Sequence, residues 1–152
     1  MYFYRGKAKY SYKELFNLDL HFATFIYQGL VQVKASGRYG IPYIFMQAPY
    51  NLNKEDAEAL WSSILDEMIF AFAPEQDYSQ IEAPLYRINT LLSPRVNGRY
   101  ECHVERVAIG SATQDDIQAY EARRTAWEKD YYQQRAEGRL LFAKYFDYLH
   151  IH

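Results

Sequence analysis

Residues 53–72, NKEDAEALWSSILDEMIFAF, carry the clearest structural signal in the chain. Asn53 can cap a helix, acidic residues favour its positive end, and Pro74 prevents the helix from continuing. The large apolar residues recur at the i, i+3, i+4, i+7 spacing of one helical face. They are Leu60, Trp61, Ile64, Leu65, Met68, Ile69 and Phe72. The stretch therefore predicts a helix with one buried side, around which a core is built.

Composition suggests an ordinary globular protein. The 152 residues are 49% hydrophobic, which predicts one domain spanning residues 1–152. Cys102 is the only cysteine, so no intramolecular disulfide forms and a reducing compartment is indicated. No apolar run spans a bilayer, and the N-terminus lacks the order of a secretory signal. With a net charge of −2, we expect a cytoplasmic protein with no membrane partner.

Two β-hairpins are predicted on either side of the central helix. Residues 18–35 are rich in aromatic and β-branched side chains and predict a strand with a bend near Gly29. A turn at 36–40 and a short strand at 43–47 complete the first hairpin. Residues 85–92 and 99–109 predict the second hairpin, because an Asn-Gly pair lies in the turn between them.

The C-terminal part of the chain predicts a long helix. Thr113 with Asp116 is a helix-start pattern, and a helical period continues to Tyr148. Glycine costs about 1 kcal/mol relative to alanine inside a helix, so a break at Gly138 is an alternative. The spacing also fits a coiled coil, so a homodimer through the C-terminal helix is a second alternative.

The order of strands, helix, strands and helix predicts an α+β fold. We expect a mostly antiparallel sheet with both helices packed on one of its faces, since an exposed apolar sheet face needs cover.

Two segments resemble a pair found in small uncharacterised proteins of tailed phages. They are LDEMIFAF at residues 65–72 and EGRLLFAKYF at residues 137–146, the second being a G-x-x-LFAKYF-like helix. Those relatives often end with a Trp-Asp pair after this run, whereas this chain ends YLHIH. The resemblance implies a phage or prophage origin and no particular activity. It also implies that another backbone or ring approaches Gly138 closely.

One set of residues suits a divalent metal or acid–base catalysis, if two predicted strands are neighbours. It consists of Glu101, His103 and Glu105 on one strand and Asp19 and His21 on another. A solvated sheet face shows the same pattern, with Cys102 and Val104 pointing inward and the thiol buried. No motif sets a ligand spacing, so we assign no catalytic residue, metal ligand or cofactor. A metal-dependent enzyme remains an alternative.

A basic segment raises a nucleic-acid alternative. Arg5, Lys7 and Lys9 alternate with aromatic residues that can stack on bases. Three further arginines, Arg87, Arg95 and Arg99, flank the second hairpin. An edge strand protected by lysines also explains the N-terminal pattern, and it is the favoured explanation. Nucleic acid is therefore not the expected partner.

Protein binding is the function that the sequence favours. The chain has 16 tyrosines, which are enriched at interfaces and also line the rims of small cores. Acidic residues of the central helix can face a basic partner or keep the protein soluble, and solubility is the favoured explanation for them. We predict a non-enzymatic interaction protein that inhibits a host factor or acts in assembly. The predicted contact residues are Glu55, Asp56, Glu58, Tyr131 and Tyr132.

Overall fold

The computed structural model describes residues 2–4, 7–9, 18–37, 40–94 and 98–149. These residues form three α-helices and two separate two-stranded antiparallel sheets. The helices are α1 (Leu18–Ser36), α2 (Lys54–Phe72) and α3 (Gln114–Tyr145). The strands are β1 (Tyr2–Tyr4) paired with β2 (Lys7–Lys9), and β3 (Tyr86–Pro94) paired with β4 (Tyr100–Ala108). The fold is α+β and mostly helical, so the predicted class is confirmed.

The chain divides into two compact units. Unit 1 consists of Met1–Glu75 and Tyr132–His152, and unit 2 consists of Gln76–Tyr131. The boundary therefore falls inside α3. A single folding domain over residues 1–152 stays a prediction.

Helix α2 forms as the sequence predicts. The backbone N–H of Asp56 donates to Asn53 Oδ1 at 2.8 Å, which caps the first turn. The predicted apolar face is the centre of the unit 1 core, where Trp61, Leu65 and Met68 are fully buried. Around them lie Leu30 of α1, Phe45 of a 3-10 helix and Tyr145 of α3. The buried face of α2 therefore packs against helical residues, where the sequence predicted a sheet.

The first predicted hairpin is wrong. Residues 18–35 form helix α1, and the strand expected at 43–47 is the 3-10 helix Tyr43–Met46. Strand propensity is a weak preference that tertiary packing overrides. In α1, Ile26 and Leu30 are four residues apart on one helical face, and both pack against the α2 core. Burial of this face explains the helix despite its aromatic and β-branched content.

Helix α3 begins where predicted and does not break at Gly138. Thr113 and Asp116 form reciprocal bonds: the Thr113 N–H donates to Asp116 Oδ2 at 2.8 Å, and the Asp116 N–H donates to Thr113 Oγ1 at 3.2 Å. A Cβ at position 138 would lie 2.6 Å from Ala71 Cβ and closer still to the Glu67 carbonyl oxygen. Glycine thus lets α2 and α3 approach closely, which confirms the expected close contact.

Candidate protein-binding surface

Strands β3 and β4 place apolar side chains on one face of their hairpin. The register pairs Tyr86 with Ala108 and Pro94 with Tyr100. Residues directly opposite in an antiparallel ladder share a face, and alternate residues along a strand return to it. We call this the apolar face, and its residues are Tyr86, Ile88, Thr90, Leu92, Pro94, Tyr100, Cys102, Val104, Arg106 and Ala108.

The base of the apolar face is anchored on the N-terminal part of α3. Tyr86 is buried in a cluster with Tyr78, Ile117 and Tyr120, and its ring meets the Tyr120 ring edge-on at 6.2 Å. The Tyr86 hydroxyl donates a hydrogen bond to the Glu121 carboxylate. These contacts fix the start of β3, so the hairpin has a defined position within unit 2.

Beyond this base the apolar face is uncovered. The exposed fractions are 59% for Ile88, 67% for Leu92, 72% for Tyr100 and 63% for Val104. Removing apolar surface from water is favourable by roughly 25 cal/mol per Å², and a two-stranded hairpin alone is marginally stable. A contiguous apolar patch of this kind is characteristic of a contact surface.

The opposite face of the hairpin is mostly polar, although Leu91 and Val107 also lie on it. Glu101, His103 and Glu105 share it, as the sequence predicts, and His103 Nε2 lies 3.7 Å from Glu101 Oε2. The expectation that Cys102 points into a core is wrong, because its side chain is exposed. The predicted alternation of the two faces along β4 is confirmed, but α3 covers the apolar face only at its Tyr86 end.

The structure gives no support to the predicted metal group. His21 lies on helix α1, where Asp19, two residues before it, does not share its face. Within the described part of the chain, no cluster of three or more His, Cys, Asp or Glu residues could hold a metal ion.

The predicted contact residues on α2 lie at the surface. Glu55, Asp56 and Glu58 are exposed in the first turns of the helix. Asp56 Oδ2 accepts a hydrogen bond from Asn53 Nδ2 at 2.7 Å, and Glu58 lies 3.9 Å from Lys54 Nζ. Their acidic side chains are thus accessible to a basic partner.

The two predicted contact tyrosines have different environments. Tyr132 is 51% exposed, whereas Tyr131 is 5% exposed and therefore buried. That the two tyrosines are contact residues stays a prediction. The Tyr131 ring stacks on Trp127 with ring centres 4.6 Å apart, and its hydroxyl accepts a hydrogen bond from the Gln76 N–H at 2.9 Å. Tyr131 therefore stabilises unit 2 from within.

The nucleic-acid alternative stays a prediction. Arg5 and Arg95 lie outside the described residues. Lys7 and Lys9 lie in β2, Arg87 lies in β3, and Arg99 immediately precedes β4.

Unit 1 contains a cavity of about 660 Å³. Helix α1 contributes apolar side chains and Asp19, while Glu75, Arg135 and Arg139 supply the other charged groups. Arg135 is buried and its Nη1 donates to the Phe70 carbonyl oxygen at 3.2 Å. Two carboxylates and two guanidinium groups balance each other, so the lining favours neither an anion nor a cation.

An ion-pair network stabilises unit 2. Glu82 accepts hydrogen bonds from Arg123 Nε at 3.0 Å and Nη2 at 2.6 Å, and from the Tyr78 hydroxyl at 2.6 Å. Bonds from Arg123, and secondly from Tyr78, lower the pKa of Glu82 from 4.5 to about 2. A carboxyl whose pKa is lower in the folded state contributes stability above its unfolded pKa. That contribution is lost as the pH falls from 4.5 toward 2.

We therefore expect Glu82→Gln to flatten the acid limb of the stability curve. Wild-type protein should lose stability between pH 4.5 and 2 more steeply than the variant, because the variant lacks the Glu82 carboxylate that is protonated in this range. Urea unfolding followed by circular dichroism at a series of pH values measures the difference. Glu105→Gln, on exposed β4, is the matched control and should keep the wild-type slope. Equal slopes for Glu82→Gln and wild type would contradict the assignment.

No protein-family profile, curated protein or solved structure matches this chain. None of the helices that the structure describes combines the length and apolar character needed to cross a bilayer.

Proposed function

We propose that the protein acts by binding another protein, with the apolar face of the β3–β4 hairpin as its main contact surface. The observation that carries the proposal is the exposure of Ile88, Leu92, Tyr100 and Val104, each by more than half, on one side of an anchored hairpin. Burial of these side chains against a partner would supply the hydrophobic driving force for association.

The chemistry of the apolar face fits the centre of an interface. Interface cores are poor in charged residues and rich in aromatic ones, and a polar rim surrounds them. Towards the turn from Ile88, this face carries apolar side chains with Thr90 and Cys102, and the charged Arg106 lies directly opposite Ile88. The polar groups of Glu101, His103 and Glu105 lie on the other side of the same strands. One side of the hairpin is therefore suited to contact and the other to water.

The biological setting is part of the same proposal. We propose a protein of phage or prophage origin that works in the cytoplasm of the host, either inhibiting a host factor or serving in assembly. The resemblance of residues 65–72 and 137–146 to tailed-phage proteins supports the origin. The exposed Glu55, Asp56 and Glu58 at the start of α2 supply a second candidate contact region, and Tyr132 is a separate exposed candidate in unit 1.

Neighbouring leucines provide a matched test of the contact surface. Leu91 and Leu92 are adjacent in β3 and both exposed, but only Leu92 lies on the apolar face. Lysine at position 92 would place a charge in the contact, whereas lysine at position 91 would extend from the polar face into water. We expect Leu92→Lys to weaken partner binding at least about tenfold and Leu91→Lys to leave it unchanged.

Capture of partners from nuclease-treated bacterial lysate by tagged full-length protein, followed by mass spectrometry, measures this effect. Wild type and Leu91→Lys should recover the same protein in stoichiometric amounts, and Leu92→Lys should not. Equal recovery by the two variants, or no recovery by wild type of either another protein or an untagged copy of the chain, would count against the proposal.

A further inference from the structure

We infer that the apolar face binds a second copy of this chain, with two β3–β4 hairpins packed face to face about a twofold axis. This inference rests on the proposed function, because it names the partner of the same surface. Each hairpin has one uncovered apolar face, so a pair of them would form a small two-layer sandwich.

The charge distribution permits self-association. A twofold contact brings the same patch of each copy together, so a charge close to the twofold axis would face its own copy. From Ile88 to Pro94 on β3 and from Tyr100 to Val104 on β4, the apolar face has no charged side chain. Arg106 lies directly opposite Ile88 at the end of this region and its side chain is 57% exposed; its guanidinium is 5.3 Å from the centre of the Tyr86 ring, and its Nη2 is 3.8 Å from a Glu121 carboxylate oxygen. The middle of the face is therefore free of charge, and the one charged side chain lies at its end.

The size of the patch sets the expected strength. The four most exposed apolar side chains present on the order of 500 Å² per copy, so a dimer would bury about 1,000 Å² in total. This area lies at the lower limit of specific interfaces. We therefore expect a reversible dimer with a dissociation constant on the order of micromolar, which depends on protein concentration.

Cys102 provides a built-in reporter of the contact. It is the only cysteine of the chain, it is exposed, and it lies on the apolar face opposite Leu92. Packed sheets lie about 10 Å apart, and neighbouring side-chain rows on one face are separated by about 7 Å. A twofold axis through the middle of the exposed part of the apolar face would bring the two Cys102 thiols within reach of a short bis-maleimide. Cross-linking through this single thiol can yield only a dimer.

The experiment uses purified, reduced, full-length protein without other components. Sedimentation equilibrium between about 1 and 100 µM, a range that brackets micromolar affinity, should show a mass that rises from 18.0 kDa toward twice that value. Leu91→Lys should behave as wild type. Leu92→Lys, and Val104→Lys on the other strand, should remain monomeric and lose at least tenfold of the bis-maleimide dimer. Circular dichroism verifies folding, and two variants on separate strands keep the test informative if one misfolds.

Two outcomes would overturn the inference. Wild type that stays monomeric over the whole range would do so, as would a dimer that both Leu92→Lys and Val104→Lys retain. The latter would place the contact elsewhere, for example at the C-terminal helix. Monomeric wild type that captures a different protein in a Leu92-dependent manner would refute self-association and leave the proposed function standing.

Discussion

Replacing Gly138 with alanine is expected to destabilise the protein by about 2 kcal/mol or more. The added Cβ would meet the Glu67 backbone carbonyl, and it would lie 2.6 Å from Ala71 Cβ. A backbone atom has no alternative rotamer, so α2 and α3 would have to separate, and that separation would loosen the core around Met68. The better helix propensity of alanine, about 1 kcal/mol, offsets only part of this loss.

Gly29 provides the matched control for Gly138. It lies inside helix α1, and no atom outside its immediate chain neighbourhood lies within 4 Å of a Cβ built there. Gly29→Ala should therefore stabilise the protein by about 0.5–1 kcal/mol through helix propensity alone. Urea unfolding followed by circular dichroism measures both variants. Stabilisation by both substitutions would contradict the close approach of α2 and α3 at Gly138.

Replacing Trp61 with alanine is expected to cost about 3–5 kcal/mol, the range for deleting a large buried aromatic side chain. Trp61 is fully buried, and its ring centre lies 6.2 Å from that of Phe45 and 5.7 Å from that of Tyr145. These three rings join α2 to a 3-10 helix and to the end of α3, so a cavity at position 61 removes contacts from all of them.

The variant Trp61→Phe distinguishes the contribution of ring packing from that of the indole N–H. The Trp61 indole N–H makes no hydrogen bond with the residues that the structure describes. Trp61→Phe keeps most of the ring contacts and removes a buried unsatisfied donor, which itself costs about 1–3 kcal/mol. We therefore expect Trp61→Phe to retain much more stability than Trp61→Ala in the same urea titration. Equal losses for Trp61→Phe and Trp61→Ala would contradict the expectation that ring contacts account for most of the stabilisation at position 61.

The sequence predicts helices α2 and α3 and the β3–β4 hairpin, because short segments of the chain determine their ends and turns. Helices α2 and α3 both begin at side-chain caps, Asn53 and Thr113, and these interactions involve residues only three positions apart. The β3–β4 hairpin was predicted from its Asn-Gly turn and from alternating side chains. Each of these features can be read from a short segment, because its stabilising partner lies in the same segment.

Features that depend on distant partners could not be predicted in this way. Helix α1 has the composition of a strand, and the contact of Leu30 with the α2 core determines its structure. Tyr131 and Tyr132 are neighbours of identical type, yet only Tyr131 is buried, and its hydroxyl accepts a hydrogen bond from the Gln76 N–H, 55 positions away in the chain. Alternation divided β4 into two faces, but it did not indicate that the apolar one would be left uncovered.

The most direct test of the central claim compares partner binding by Leu92→Lys with partner binding by Leu91→Lys. The two substitutions add the same charge at adjacent exposed positions, and they differ only in the face of the hairpin that they alter. If the apolar face is the contact surface, Leu91→Lys binds as wild type does and Leu92→Lys binds at least about tenfold more weakly. Equal binding by the two variants, with both folded, would contradict the claim.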